Sequence, residues 1–386
     1  MMKKIKIQTP FALFSVLALI TLFVATANAA VPIPAPPKVA AKNYILVDAN
    51  SGRVLAEKEA DAQVEPASIT KLMTSYVIYK ELAEGRLSMD DMVTISEKAW
   101  RMGGSRMYVE VDTQVSVHDL MKGLIIQSGN DATVALAEHV AGSERAFVDL
   151  MNQYASKLGM SGTYYMNSTG WPAEGHLTTA RDIATLAMAV IREFPEHYAW
   201  YKEKVFTYNN IKQYNRNKLL WNDDSVDGVK TGHTESAGYC LVASALRSDM
   251  RLVSVVLGTD SEKARASVSQ SLLNYGFRFF ETHKLYAAGE IMNRSRVWKG
   301  ESDKVSLGLL EDLYITIPRG SYKDLEAVMD VDASIEAPLE KGSQHGTVRI
   351  SLADEEMLQA PLVALESVGE GSLFQIAKDY ILQMFN

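Results

Sequence analysis

Cysteine is almost absent from this 386-residue chain. Cys240 stands alone, which excludes an intramolecular disulfide and any zinc site built on cysteines. Proline and glycine are also sparse, at 11 and 24 residues, and 47% of the chain is hydrophobic against 22% charged. Collagen-like, low-complexity and disordered readings therefore fall away. Positive charge is in deficit, with 39 Lys and Arg against 47 Asp and Glu. Phosphate backbones are held by clustered Lys and Arg, so nucleic acid is not an expected partner. The histidines (His118, His139, His176, His197, His233, His283 and His345) are scattered, with no H-E-x-x-H pair, and no glycine-rich phosphate loop stands out. The residues present require no metal and no cofactor. At roughly 100–200 residues per domain, the length suits two or three folded units.

Long apolar runs are missing except near the start. Lys3, Lys4 and Lys6 form a positive region, Phe11 to Val24 is apolar, and Ala27-Asn28-Ala29 is a small-residue cleavage site, with Ala25-Thr26-Ala27 as a competitor. The run is short for a bilayer span of ~20 residues, so residues 1–29 read as a secretory signal peptide rather than an anchor. Its removal takes three lysines and no acids, which leaves the exported chain more acidic still.

What is present is organised in blocks. Tyr44 to Asp48 and Arg53 to Glu57 read as strands joined at Asn50-Ser51-Gly52. From Ala67 to Gly85 the apolar period is helical, and further helices are predicted over 117–127, 131–141, 143–158 and 179–193. Strands return as a hairpin over 238–246 and 251–257, followed by a helix over 261–281. Strands at both ends with helices between predict an α+β unit, an antiparallel sheet flanked by helices, over residues 30–280. Residues 281–366 carry short alternating strands and read as a small all-β domain. Residues 367–386 place Leu373, Phe374, Ile376, Ala377, Tyr380, Ile381, Met384 and Phe385 on one helical face beyond a Gly369–Gly371 hinge. That helix is too polar to span a bilayer and suits lying in its interface.

Three short motifs carry chemistry. Ser68-Ile69-Thr70-Lys71 begins a helix, where residues three apart share a face, so hydroxyl and amine can meet. A buried lysine beside another cation has a depressed pKa and can take the proton from a serine nucleophile. The plain alternative is a helix cap and a solvated lysine. Ser128-Gly129-Asn130 lies between two helices, where a hydroxyl and an amide can relay a proton and hold a substrate carbonyl; the plain alternative is a turn. Lys230-Thr231-Gly232 offers a cation for a carboxylate, a hydroxyl, and a glycine that lets a substrate backbone approach; the plain alternative is an edge-strand lysine.

Together, in this order, the motifs form the S-x-x-K, S-D-N-like and K-T-G set of penicillin-binding proteins and class A β-lactamases. The chain resembles the serine D-Ala-D-Ala carboxypeptidases, the low-molecular-mass penicillin-binding proteins of the 5/6 type. The resemblance runs through PASITKLMTSYV, LIIQSGNDATVALAE, NRNKLLW, VDGVKTGHTESAGYCLVASA, YGFRFFET and the β-rich tail. It implies that Ser68 is acylated, that Lys71 is its general base, and that Ser128 shuttles a proton. It implies that Asn130, Lys230, Thr231 and Gly232 bind substrate, and that the backbone N–H groups of Ser68 and His233 form an oxyanion hole. Arg265, in SEKARAS, matches an arginine that helps hold the substrate's terminal carboxylate. Gly129 replaces the Asp of β-lactamases.

The fold so implied is a β-lactamase/transpeptidase-like domain followed by the all-β domain and an amphipathic anchoring helix. The activity implied is removal of the terminal D-alanine from peptidoglycan stem peptides, inhibited by β-lactams. The place implied is the periplasm, on the outer face of the inner membrane, reached through the C-terminal helix. A same-fold endopeptidase and a weakly active wall scaffold are the alternatives. A β-lactamase would add a deacylating glutamate in E-x-x-L-N; Glu174-Gly175-His176-Leu177-Thr178 ends in Thr and reads as loop.

Overall fold

The computed structural model describes residues 33–384, so the signal-peptide expectation for 1–29 lies outside the described residues. β1 (Asn43–Asp48) and β2 (Val54–Lys58) form the first hairpin. A single tight turn, Ala67–Thr70, then feeds α1 (Lys71–Ala83). α2 (Asn130–Ala141), α3 (Glu144–Lys157) and α4 (Ala180–Glu193) follow. The last two open on side-chain caps, Ser143 accepting from Ala146 N and Thr179 from Asp182 N. β3 (Val226–Thr234), β4 (Gly238–Arg247), β5 (Met250–Thr259) and α5 (Glu262–Phe279) complete this half. These five strands make one antiparallel sheet in the order β2-β1-β5-β4-β3, beside two small two-stranded sheets in the same half.

Side chains alternate across that sheet with period two, so each strand serves two cores. Ile45 and Val47 of β1, with Val253 and Val255 of β5, face α1, α2 and α4. Leu46, Leu252 and Val256 face the other way, onto Leu272 and Leu273 of α5. The segment expected as one helix over 117–127 is α-helical only to Lys122 and widens into a π turn over Gly123–Gln127. π turns recur at functional sites, and this one delivers Ser128 in the left-handed conformation, φ +65°.

α5 runs without a break into β6 (Phe280–Tyr286), whose first two residues fall inside the helix expected over 261–281. β7 (Asn293–Trp298), β8 (Lys304–Gly308), β9 (Leu313–Pro318), β10 (Leu325–Val331), β11 (Ile335–Glu336), β12 (Gln344–Leu352) and β13 (Glu355–Ala364) follow. β6 pairs with β9, and the others form a six-stranded sheet, β10-β12-β13-β8-β7-β11. They enclose a separate core that includes Val305, Leu307, Ile317, Val348 and Leu362. A buried hydroxyl network ties the two halves together. Thr282 Oγ1 donates to Asp48 Oδ2 at 2.7 Å and contacts Thr316 Oγ1 at 2.9 Å, while Ser51 Oγ reaches the same Thr316 hydroxyl at 2.6 Å.

The last element is α6 (Leu373–Gln383). The segment before it is not the hinge its glycines suggest. Glu301 N donates to Gly369 O at 2.9 Å and Gly371 N to Lys299 O at 2.7 Å, so both glycines sit in backbone contact with the β domain. Among the described residues, no helix is long and apolar enough to cross a membrane.

Candidate active site

The tight turn 67–70 presents Ser68 at the mouth of a cleft of about 660 Å³. Its Oγ lies 3.2 Å from Lys71 Nζ. Lys71 is 0% exposed, so the solvated-lysine alternative does not hold, and Ser68 makes no cap bond. Nζ donates to Asn130 Oδ1 at 2.7 Å and to Thr169 O at 2.7 Å. A neutral amine has two N–H donors and one lone pair. Both donors are taken by these acceptors, and the lone pair is left for the serine hydroxyl. Burial, helped by the positive charge of Arg216 and opposed by Asp131, lowers the Lys71 pKa to about 7.

The second motif meets the third directly. Lys230 Nζ donates to Ser128 Oγ at 2.8 Å and to Thr231 O at 3.2 Å. Burial, then Lys71, Arg216 and Arg265, push the Lys230 pKa well below the usual lysine value. Asn130 is fixed at both ends, its Nδ2 donating to Gly103 O at 2.7 Å while its Oδ1 accepts from Lys71. Gly129 has a local reason: a Cβ there would stand 2.8 Å from Asp131 Oδ1 and 3.0 Å from Met107 N, so the Asp of β-lactamases has no room.

The sequence pattern of the D-alanyl-D-alanine carboxypeptidases, peptidase family S11, matches residues 30–261. The chain belongs to this family. A second pattern, the C-terminal domain of penicillin-binding protein 5, matches residues 280–370. The chain is 45% identical over 382 residues to the D-alanyl-D-alanine carboxypeptidase DacA of Escherichia coli (strain K12), covering 96% of this chain and 95% of that one. It is 46% identical over 377 residues to DacC of the same strain, covering 96% and 94%. Among solved structures, penicillin binding protein 5 from Haemophilus influenzae superposes with a TM-score of 0.83 at 44% identity, over 87% of this chain and all of that one. The family and its two-part architecture are thus shown, and the chain is a penicillin-binding carboxypeptidase.

Within this S11 site, seven of the nine residues expected from sequence line the cleft: Ser68, Ser128, Asn130, Thr231, Gly232, His233 and Arg265. Lys71 and Lys230 lie behind it. Lys230, as deeply buried as Arg265, donates to Ser128 and is not itself among the residues that line the cleft. The cations that do face the cleft are Arg265 and Arg216. Arg265 Nη1 donates to Gly232 O at 3.1 Å, and Nη2 stands 3.7 Å from Glu262. Gly232 has a packing reason beside the expected one. A Cβ there would meet Ile69 Cγ1 at 3.1 Å and Pro66 O at 3.2 Å, so the glycine lets β3 pack on the nucleophile turn itself. His233 lies with its ring 3.9 Å from that of Tyr239.

Glu174 is exposed and does not line the cleft, so the E-x-x-L-N likeness carries no deacylating carboxylate into this site. Its neighbour His176 has another use. Buried and pushed down to a pKa of about 4, it contacts Thr70 Oγ1 at 2.9 Å and pins its loop to the start of α1. Arg216, Thr169 and Asp131 were not singled out from sequence. Asp131 accepts from the backbone N–H groups of Met107 at 2.9 Å, Tyr108 at 2.8 Å and Val109 at 3.3 Å, and so holds the loop that forms the far wall. Its place one residue after Asn130, in the first turn of α2, was the available signal.

Proposed function

We propose that this S11 carboxypeptidase removes the terminal D-alanine from peptidoglycan stem peptides through an acyl-enzyme on Ser68. Ser68 Oγ attacks the carbonyl between the two D-alanines as its proton passes to neutral Lys71. The N–H groups of Ser68 and His233 receive the oxyanion. Ser128, held by Lys230, carries a proton to the leaving amine; D-alanine departs, and water then cleaves the ester. The observation that carries this reading is buried Lys71 Nζ at 3.2 Å from Ser68 Oγ with Asn130 Oδ1 and Thr169 O as its other partners, so that once neutral the amine has its lone pair for the serine proton. Intact mass of a purified pentapeptide muropeptide after incubation tests it: loss of one alanine is expected. Cleavage only of a cross-linked dimer favours an endopeptidase, and no change favours a wall scaffold.

Arg265 takes the substrate carboxylate in this scheme, with Thr231 beside it, and Lys230 acts on proton transfer. Arg265→Ala should slow acylation by a free-acid β-lactam about 10–100-fold while an esterified one loses little. Lys230→Ala should slow both alike. The opposite pattern, with Lys230→Ala selective for the free acid, would return carboxylate binding to Lys230.

The rest of the chain fits an exported enzyme held at a membrane. Its division is 1–29 as signal peptide, 30–280 as catalytic domain, 281–366 as all-β domain and 367–386 as anchor. The place is the periplasmic face of the inner membrane. Supporting this is the outward face of α6, where Leu373 and Phe374 are 87% and 82% exposed. Deleting residues 372–386 should release the enzyme from sedimented membranes with unchanged activity on a small soluble peptide. Continued sedimentation would place the anchor elsewhere.

A further inference from the structure

α6 is packed opposite to a helix that covers a core. Gln375, Asp379 and Gln383, four residues apart on one face, turn toward the β domain. Gln375 Nε2 donates to Asp303 Oδ1 at 3.2 Å and Gln383 Nε2 to Glu336 Oε1 at 2.8 Å. Between them Asp379, 4% exposed, accepts from Lys299 N at 2.7 Å and lies 3.4 Å from Arg296 Nη2. The opposite face holds Leu373, Phe374, Tyr380, Ile381 and Met384 in solvent. The helix thus uses its polar side chains for attachment and presents its apolar ones.

We propose that Asp379 clamps α6 to the β domain, so that a lipid bilayer surface binding the outward face meets a rigid platform and the catalytic cleft is held at a set height above it. This rests on the membrane reading of α6 and adds to it that the anchor is not a free tether. A bilayer is the occupant because the outward face is a ridge of large apolar side chains whose polar groups are the Tyr380 hydroxyl and Lys378. A protein partner needs a polar rim to fix its register, whereas a bilayer interface takes such a ridge directly and receives both polar tips at headgroup level. The attachment is continuous with the rest of the fold. The backbone of 369–371 is bonded to residues 299–301, Val368 bridges Leu339, and the Asp48–Thr282–Thr316 network joins the β domain to β1.

The test uses the full mature chain with Lys212→Cys as the label site, Cys240 being buried. Energy transfer from that label to acceptor lipids is measured on vesicles of phosphatidylethanolamine and phosphatidylglycerol. The parent chain should give one narrow distance. Asp379→Ala should keep vesicle affinity within about twofold, because the apolar face is untouched, while the distance distribution broadens. Asp379→Asn, which keeps an oxygen for Lys299 N, should restore it. Unchanged penicillin labelling reports an intact fold; should Asp379→Ala fail to fold, Gln375→Ala with Gln383→Ala is the substitute and should broaden the distance as well. A narrow distance retained in Asp379→Ala, or a broad one in the parent, overturns the clamp alone. A parent chain that does not bind vesicles overturns the membrane reading beneath it.

Discussion

Ser68→Ala should abolish covalent labelling by a penicillin, a loss of at least about 10³-fold, with no other serine taking over. Ser68 Oγ has a buried amine at 3.2 Å whose remaining valences are filled, so its proton has somewhere to go. Ser128 also lines the cleft, and its hydroxyl accepts from Lys230 Nζ at 2.8 Å, the contact that serves the proton transfer proposed for it. Truncation at Ser68 removes one partly exposed hydroxyl that caps nothing, so stability should change by no more than about 0.5–1 kcal/mol. Mass spectrometry of the penicillin-treated variant, beside its thermal unfolding curve, checks both halves. A variant labelled at the parent level would end the assignment of Ser68 as nucleophile, and with it the proposed mechanism.

What the sequence could disclose of this site divides along a physical line. Ser68 and Lys71 are legible because helical periodicity alone places residues three apart on one face. Asn130 and Lys230 are legible as motif members, but not their partners, since nothing local says that an amide oxygen at 130 meets an amine at 71. Thr169 contributes a backbone carbonyl, which every residue has, so no composition marks it. Asp131 looks like an ordinary acid in the first turn of a helix; its work is done on amides more than twenty residues earlier. Lys230 is legible as a cation suited to a carboxylate, but not its burial against Ser128, which no neighbour in sequence announces.

The fold divides in the same way. Alternation and helical period locate the main sheet and its helices. They do not locate the π turn at 123–127, or the point near Phe280 where apolar residues stop serving a helix and begin serving a strand. At the chain's end, Gly369 and Gly371 suggested a hinge because glycine is permissive. Here both lie in close backbone contact, and Asp379, which reads as a surface charge offsetting Lys378, is buried and holds α6 in place.

A pH effect on acylation should come from Lys71. The acylating form has a neutral amine, so with a pKa of about 7 the acylation rate should climb as pH rises through 7 and level off above it. Lys71→Ala removes the base and leaves Asn130 Oδ1 and Thr169 O without their donor. Acylation should fall about 10²–10⁴-fold, and the inflection near pH 7 should vanish from what remains. The same group leaves a mark on stability, and the sign follows from proton counts. Lys71 is held near 7 in the fold against 10.5 for an ordinary lysine, so between those values the unfolded chain binds a proton the native state lacks. Stability from this group therefore rises with pH from about 7 toward 10.5 and is lowest below 7, where a charged amine is buried. Denaturant unfolding of the parent and of Lys71→Met, compared at acidic and alkaline pH, should show the parent gaining on the variant as pH rises. A gap that does not change with pH, together with an acylation rate flat through 7, would mean that Lys71 keeps its proton throughout and that the base is another group.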